Sequence, residues 1–136
     1  MKKSNTRPSK AIKVLFLTLL ILALLIGSFS TFILIGKGKV LNIELKGVAL
    51  QSVEDGSYVG DYSGYRWSNT VEVTVRNHQI TGITVKKPQL FAKSETIQEL
   101  TSRVIAEQTT EVDAVSGATA DSKAFLHAVE NALMQK

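Results

Sequence analysis

The sequence predicts an α+β domain, an antiparallel sheet with two packed helices, preceded by one transmembrane helix. Three observations carry this expectation. An uncharged apolar run fills residues 14 to 35. Further on, "NTVEVTVRN" alternates strictly, with Val71, Val73 and Val75 on one face and Thr70, Glu72, Thr74 and Arg76 on the other. That is the pattern of a half-buried strand. Near the end, Ala124, Phe125, Ala128, Val129, Ala132 and Leu133 fall on one stripe of helical period.

The first element is "VLFLTLLILALLIGSFSTFILI", 22 residues without charge or proline. As a helix it measures about 33 Å, enough to cross the hydrocarbon of a bilayer. A cleaved signal peptide has a shorter apolar stretch of about 7–15 residues followed by a small-residue cleavage site. "STFILIGKGK" offers no such site, so the run is expected to stay as an anchor. Lys2, Lys3, Arg7, Lys10 and Lys13 precede it, and only Lys37 and Lys39 follow closely. The positive-inside rule then keeps residues 1 to 13 as a cytoplasmic basic arm and sends the remainder outside the cell membrane.

The net charge of +4 is a property of these flanks. Residues 1 to 43 carry seven cations and no acid; the remaining nine cations face all twelve acids, a net of −3. The exported part is mildly acidic, which argues against nucleic-acid binding. There is no cysteine, which excludes disulfides, thiolate metal sites, iron–sulfur clusters and a lipid-modified cysteine. Two isolated histidines, His78 and His127, do not have the spacing of a metal site.

Residues 36 to 53 read as an extracytoplasmic tether, in which Leu41, Ile43 and Leu45 alternate with polar neighbours as in a short edge strand or extended linker. The domain proper is expected over residues 54 to 136. "GSYVGDYSGYRW" is a strand whose glycines mark bulges or a close backbone approach. Asn77-His78 joins the alternating strand to "QITGITVKK" through a tight turn, with His78 in the slot where glycine is favoured because φ is positive. Residues 94 to 108 form a helix burying Ile97, Leu100, Val104 and Ile105, with Thr96 and Glu99 as a capping box. "EVDAV" is extended, and residues 119 to 135 form the second helix.

The helix entrance is "DAVSGATADS", residues 113 to 122. Ser116-Gly117-Ala118-Thr119 taken alone is an ordinary helix cap, because hydroxyls and glycine satisfy free N–H donors. Its surroundings add more. With "DGSYVGDYSGY" and "VEVTVRNHQITGITV" upstream and "AFLHAVENAL" downstream, the order resembles the FMN-binding domain family, which includes flavin subunits of the sodium-pumping NADH:quinone reductase and of the Rnf complex. The resemblance covers residues 54 to 135. It departs at His78, where the family usually has glycine.

The resemblance implies covalent FMN as an FMN phosphoryl threonine on Thr119. A separate flavin transferase would make the bond from FAD with magnesium, recognising Asp113, Ser116, Gly117, Ala118 and Thr119, so no base beside Thr119 is needed. The physical setting agrees: a helix amino terminus suits a phosphate, and Gly117 admits close approach. Ser122 is a candidate phosphate contact in the first turn, and Asp113 is expected to bond loop amides. Tyr58, Tyr62, Tyr65 and Trp67 offer faces to an isoalloxazine ring, although core packing is the usual role of strand aromatics and a bulge that of Gly60; Tyr58, Gly60 and Trp67 are the candidate flavin-packing positions. No residue is expected to be catalytic. The implied function is a membrane-anchored, extracytoplasmic electron carrier, rather than a stand-alone enzyme, between a membrane donor and an external acceptor. The alternatives are a non-redox membrane-anchored assembly module and a redox-sensing subunit.

Overall fold

The computed structural model describes residues 9–135, so Lys2, Lys3 and Arg7 of the expected basic arm lie outside the described residues, as does Lys136. The chain divides into two compact units between Ile35 and Gly36.

The first unit is one helix, α1 (Lys10–Leu34), with no buried residue. Its composition explains it: Leu, Ile and Ala are good helix formers, and its two threonines bond back to the helix. Thr18 donates to Leu15 O at 2.8 Å and Thr31 to Gly27 O at 2.9 Å. Such internal satisfaction is what hydrocarbon requires. Among the described residues it is the one helix long and apolar enough to cross a membrane.

The second unit begins with α2 (Lys37–Leu41) and contains β1 (Gly56–Tyr62), β2 (Asn69–Arg76), β3 (Gln79–Lys87), α3 (Ser94–Glu107) and α4 (Thr119–Met134). The sheet is antiparallel in the order β1-β2-β3. Val71, Val73 and Val75 are fully buried, as the alternation predicts. They meet Phe125, Leu126, Val129 and Leu133 of α4 and Leu100 and Val104 of α3 in one core, each large side chain contributing about 1.5–3 kcal/mol by leaving water. The hairpin turn has φ of 52° at Asn77 and 58° at His78, the conformation that suits the strand twist. His78 Nδ1 donates to Val53 O at 2.9 Å, which holds the residue without a glycine.

One close approach sets the position of α4. A Cβ on Gly60 would lie 2.2 Å from both Ala128 O and Ala132 N. Strand and helix backbones therefore touch there, which requires glycine on one side and alanines on the other.

Two local expectations fail. Residues 36 to 53, expected as a tether, contain α2 and belong to the second unit with no strand: Val40, Leu50 and Val53 are buried, and the Lys46 and Gly47 amides are claimed by a buried carboxylate. Glu130 Oε2 accepts from Lys46 N at 3.1 Å, Gly47 N at 3.2 Å and Thr110 Oγ1 at 2.9 Å. N–H groups pointed at one carboxylate cannot pair with a strand. The capping box also does not form: Lys93 is the N-cap of α3 and no side chain caps it, since Thr96 is buried and Glu99 pairs with Arg103. At the other end Gln108, at φ 55°, ends α3. Its side-chain amide then pairs with both backbone groups of Ile80, at 2.7 and 3.0 Å, acting as a surrogate strand beside β3.

Candidate functional site

The entrance to α4 is built by its own loop. Ser116 and Gly117 make the turn, Gly117 at φ +77°, and Ala118 N donates back to Val115 O at 2.9 Å. Open space lies where a Cβ on Gly117 would point, so the glycine is required by conformation. Thr119 is the first helical residue and is exposed. The N-cap, Ala118, has no side chain able to cap, and no hydrogen bond caps this end among the described residues. The first turn of a helix leaves its N–H groups without intrahelical partners, so the Thr119–Asp121 amides face outward as a partial positive charge.

Across from them stand Lys37, Leu41 and Arg66, which together with residues 117 to 121 enclose an open cleft of ≈ 320 Å³. Arg66 is held in place twice. Its guanidinium lies 4.0 Å from the centroid of the Trp67 ring, and Nη1 lies 3.5 Å from Asp121 Oδ1. Burial pushes the Asp121 carboxyl above its ordinary pKa, while the Arg66 charge and the nearby Trp67 indole N–H pull it part of the way back. Trp67 itself is buried against Val40 and Ala124. Below the cleft, Lys123 Nζ donates to Leu41 O at 2.7 Å and Ile43 O at 2.9 Å, joining α2 to α4.

These groups fit a phosphate ester: an exposed hydroxyl, uncapped helix amides, and two cations on the facing wall. The opposing group is Asp121, whose charge is already met by Arg66.

The expected residues divide between positions in the loop and positions elsewhere. Ser116, Gly117, Ala118 and Thr119 do form one surface loop. Asp113 is exposed at its start, where its carbonyl accepts from Arg103 Nη1 at 2.8 Å; among the described residues its carboxylate bonds no loop amide. Ser122 is not a phosphate contact. It is fully buried, donates to Ala118 O at 2.8 Å and accepts from Val115 N at 3.1 Å, so its hydroxyl closes the loop from inside. None of the three flavin-packing candidates lines the cleft: Gly60 and Tyr58 lie away from it, and Trp67 is buried behind it. Gly60 is filled by α4 backbone. Trp67 has Arg66 on its ring and is 0% exposed. Tyr58 lines a separate cavity of ≈ 630 Å³ with Leu133 and Met134, some 14 residues along α4 from Thr119, about 21 Å of helix.

Sequence reasoning missed Arg66, Lys37 and Asp121. Arg66 beside an aromatic in "GYRW" was visible as a cation next to a ring, but nothing local signals that residues 66 and 121 meet.

A profile of the FMN-binding domain matches residues 64–134, which take in Arg66, β2, β3, α3, the Ser116–Thr119 loop and all of α4. Among curated proteins none matches.

Proposed function

We propose, on the premise that this chain belongs to the FMN-binding domain family, that it is a membrane-anchored carrier whose FMN is esterified to Thr119. The domain stands on the extracytoplasmic side and relays electrons between a membrane donor and an external acceptor. The observation that carries the reading is the exposed Thr119 hydroxyl at an uncapped helix terminus, facing Arg66 and Lys37 across one cleft.

Attachment is a phosphoryl transfer from FAD. The Thr119 Oγ1–phosphorus bond forms, the pyrophosphate P–O bond of FAD breaks, AMP leaves, and the hydroxyl proton passes to the flavin transferase. The chain's own share is to present the oxygen. Gly117 removes the Cβ that would crowd an approaching enzyme, and the first-turn amides orient the phosphate oxygens. Lys37 would supply the net positive charge of the cleft, and Arg66, ion-paired with Asp121, would add N–H donors. Asp121 lines the cleft but is paired with Arg66, so activation of the hydroxyl falls to the transferase. Bound flavin supplies one- and two-electron exchange.

A covalent link suits a domain outside the cell. Even nanomolar affinity, about 12 kcal/mol, leaves a site largely empty when free cofactor is scarcer than that. The apolar α1 and the basic residues before it support the anchor and its orientation. The expected result is flavin absorbance that migrates with the polypeptide on a denaturing gel and vanishes in Thr119→Ala. Colourless wild-type protein from cells that contain the transferase would refute the reading.

A further inference from the structure

The exposed large apolar side chains of the second unit, among the described residues, are Leu41, Val59, Tyr65, Leu90, Phe91 and Met134. Their distribution is uneven. Leu41 lines the Thr119 cleft. Tyr65 precedes Arg66, and its ring lies against Gly36, next to Lys37. Leu90 N donates to Arg66 O at 2.9 Å, and Gln89 Nε2 donates to Asp121 O at 2.8 Å. The 88–92 loop is thus fastened to the backbone of Asp121 in the first turn of α4 and to the backbone of Arg66, two residues that line the cleft. This keeps exposed Leu90 and Phe91 near the cleft without making them part of its lining.

Two of these residues are held in an unusual conformation. Tyr65 has φ 54° and Phe91 φ 66°, a region aromatic residues rarely occupy. Both are nonetheless well exposed, at 59% and 61%. The Tyr65 ring touches Gly36 on one side, yet most of both rings stays open to solvent, and such backbone outliers concentrate at binding sites.

We infer that Tyr65, Leu90 and Phe91 form the docking rim for the isoalloxazine ring of the flavin, in place of Tyr58, Gly60 and Trp67. The inference rests on the reading of Thr119 as the attachment point. Charge and polarity match one occupant: the cations of the cleft meet the phosphodiester, and the apolar rim beside them meets the flat ring carried by the same molecule. Aromatic faces suit such a ring in offset or edge contact.

The test uses the full chain, produced with the transferase and purified in detergent, with loading of each variant measured by mass. Flavin emission and anisotropy are compared in wild type, Tyr65→Ala/Phe91→Ala and, as a control at the other end of α4, Val59→Ala. The expected result is a severalfold rise in emission and a fall in anisotropy in the double variant alone, with Phe91→Leu intermediate. Fully loaded double variant with unchanged emission and anisotropy would overturn the inference while leaving Thr119 attachment intact. An effect seen only after transfer into lipid nanodiscs would also overturn it, because the rim would then be a lipid-facing surface. Wild-type protein without flavin would instead remove the reading beneath it.

Discussion

The two ends of α4 obey opposite rules. Toward its carboxyl end the helix is pressed into the sheet at Gly60, and Ala128, Val129, Ala132 and Leu133 are buried. Its one charged residue there, Glu130, is 2% exposed and bonded to three donors. At the amino end the first residue is exposed, no side chain caps the helix, and Lys37 and Arg66 line an open cleft. At the packed end Glu130 and Asn131 bond within the chain, while the first-turn amides at the other end have no intrahelical acceptor. Stability and recognition are thus segregated along a single helix, so substitutions at the two ends should separate cleanly.

The largest effect on stability is expected at the packed end. Gly60→Val forces a side chain into α4 backbone, and overpacking against backbone costs about 3 kcal/mol or more. Chemical denaturation should show this as a lower midpoint; an unchanged midpoint would mean that strand and helix are not in contact there. Next is Glu130→Ala, which leaves the Lys46, Gly47 and Thr110 donors without an acceptor. Stranding buried donors costs roughly 1–3 kcal/mol, and hydrogen exchange at the Lys46 and Gly47 amides should accelerate.

At the open end the stability changes shrink. Asp121→Asn removes a partly exposed ion pair, worth about 1 kcal/mol or less. Its pH dependence is more telling. The folded-state pKa of Asp121 is raised by burial, so the folded chain takes up this proton more readily than the unfolded chain. That stabilisation is complete below the ordinary carboxylate pKa and is lost as pH rises through the raised value. Wild type should show this decline, and Asp121→Asn should lack its share of it. Thr119→Ala is the smallest in stability, within about 0.5 kcal/mol as expected for an exposed position, yet it should abolish flavin attachment completely.

The same division governs what the sequence discloses. The buried stripe of α4, the alternation of β2 and the Asn77-His78 turn are periodic or local signals, and the structure matches them. So is the loop Ser116–Thr119, whose residues are contiguous. What escaped is everything made by distant pairs. Residues 36 to 53 look like a tether because nothing local marks an acceptor for the Lys46 and Gly47 amides, and α4 supplies it in Glu130. Trp67 and Tyr58 look like cofactor rings because an aromatic reads alike whether it is buried or exposed. Arg66 joins Asp121 across 55 positions, a meeting that depends on how the helix lies on the sheet.

The central claim is that the Thr119 oxygen carries the cofactor. Protein taken from its native membrane, digested and mapped by mass spectrometry, tests it most directly. The account predicts that the peptide containing Thr119 is heavier by one FMN less one water, with fragments placing the addition on that residue. The same peptide found unmodified, in cells that possess the transferase, would contradict it.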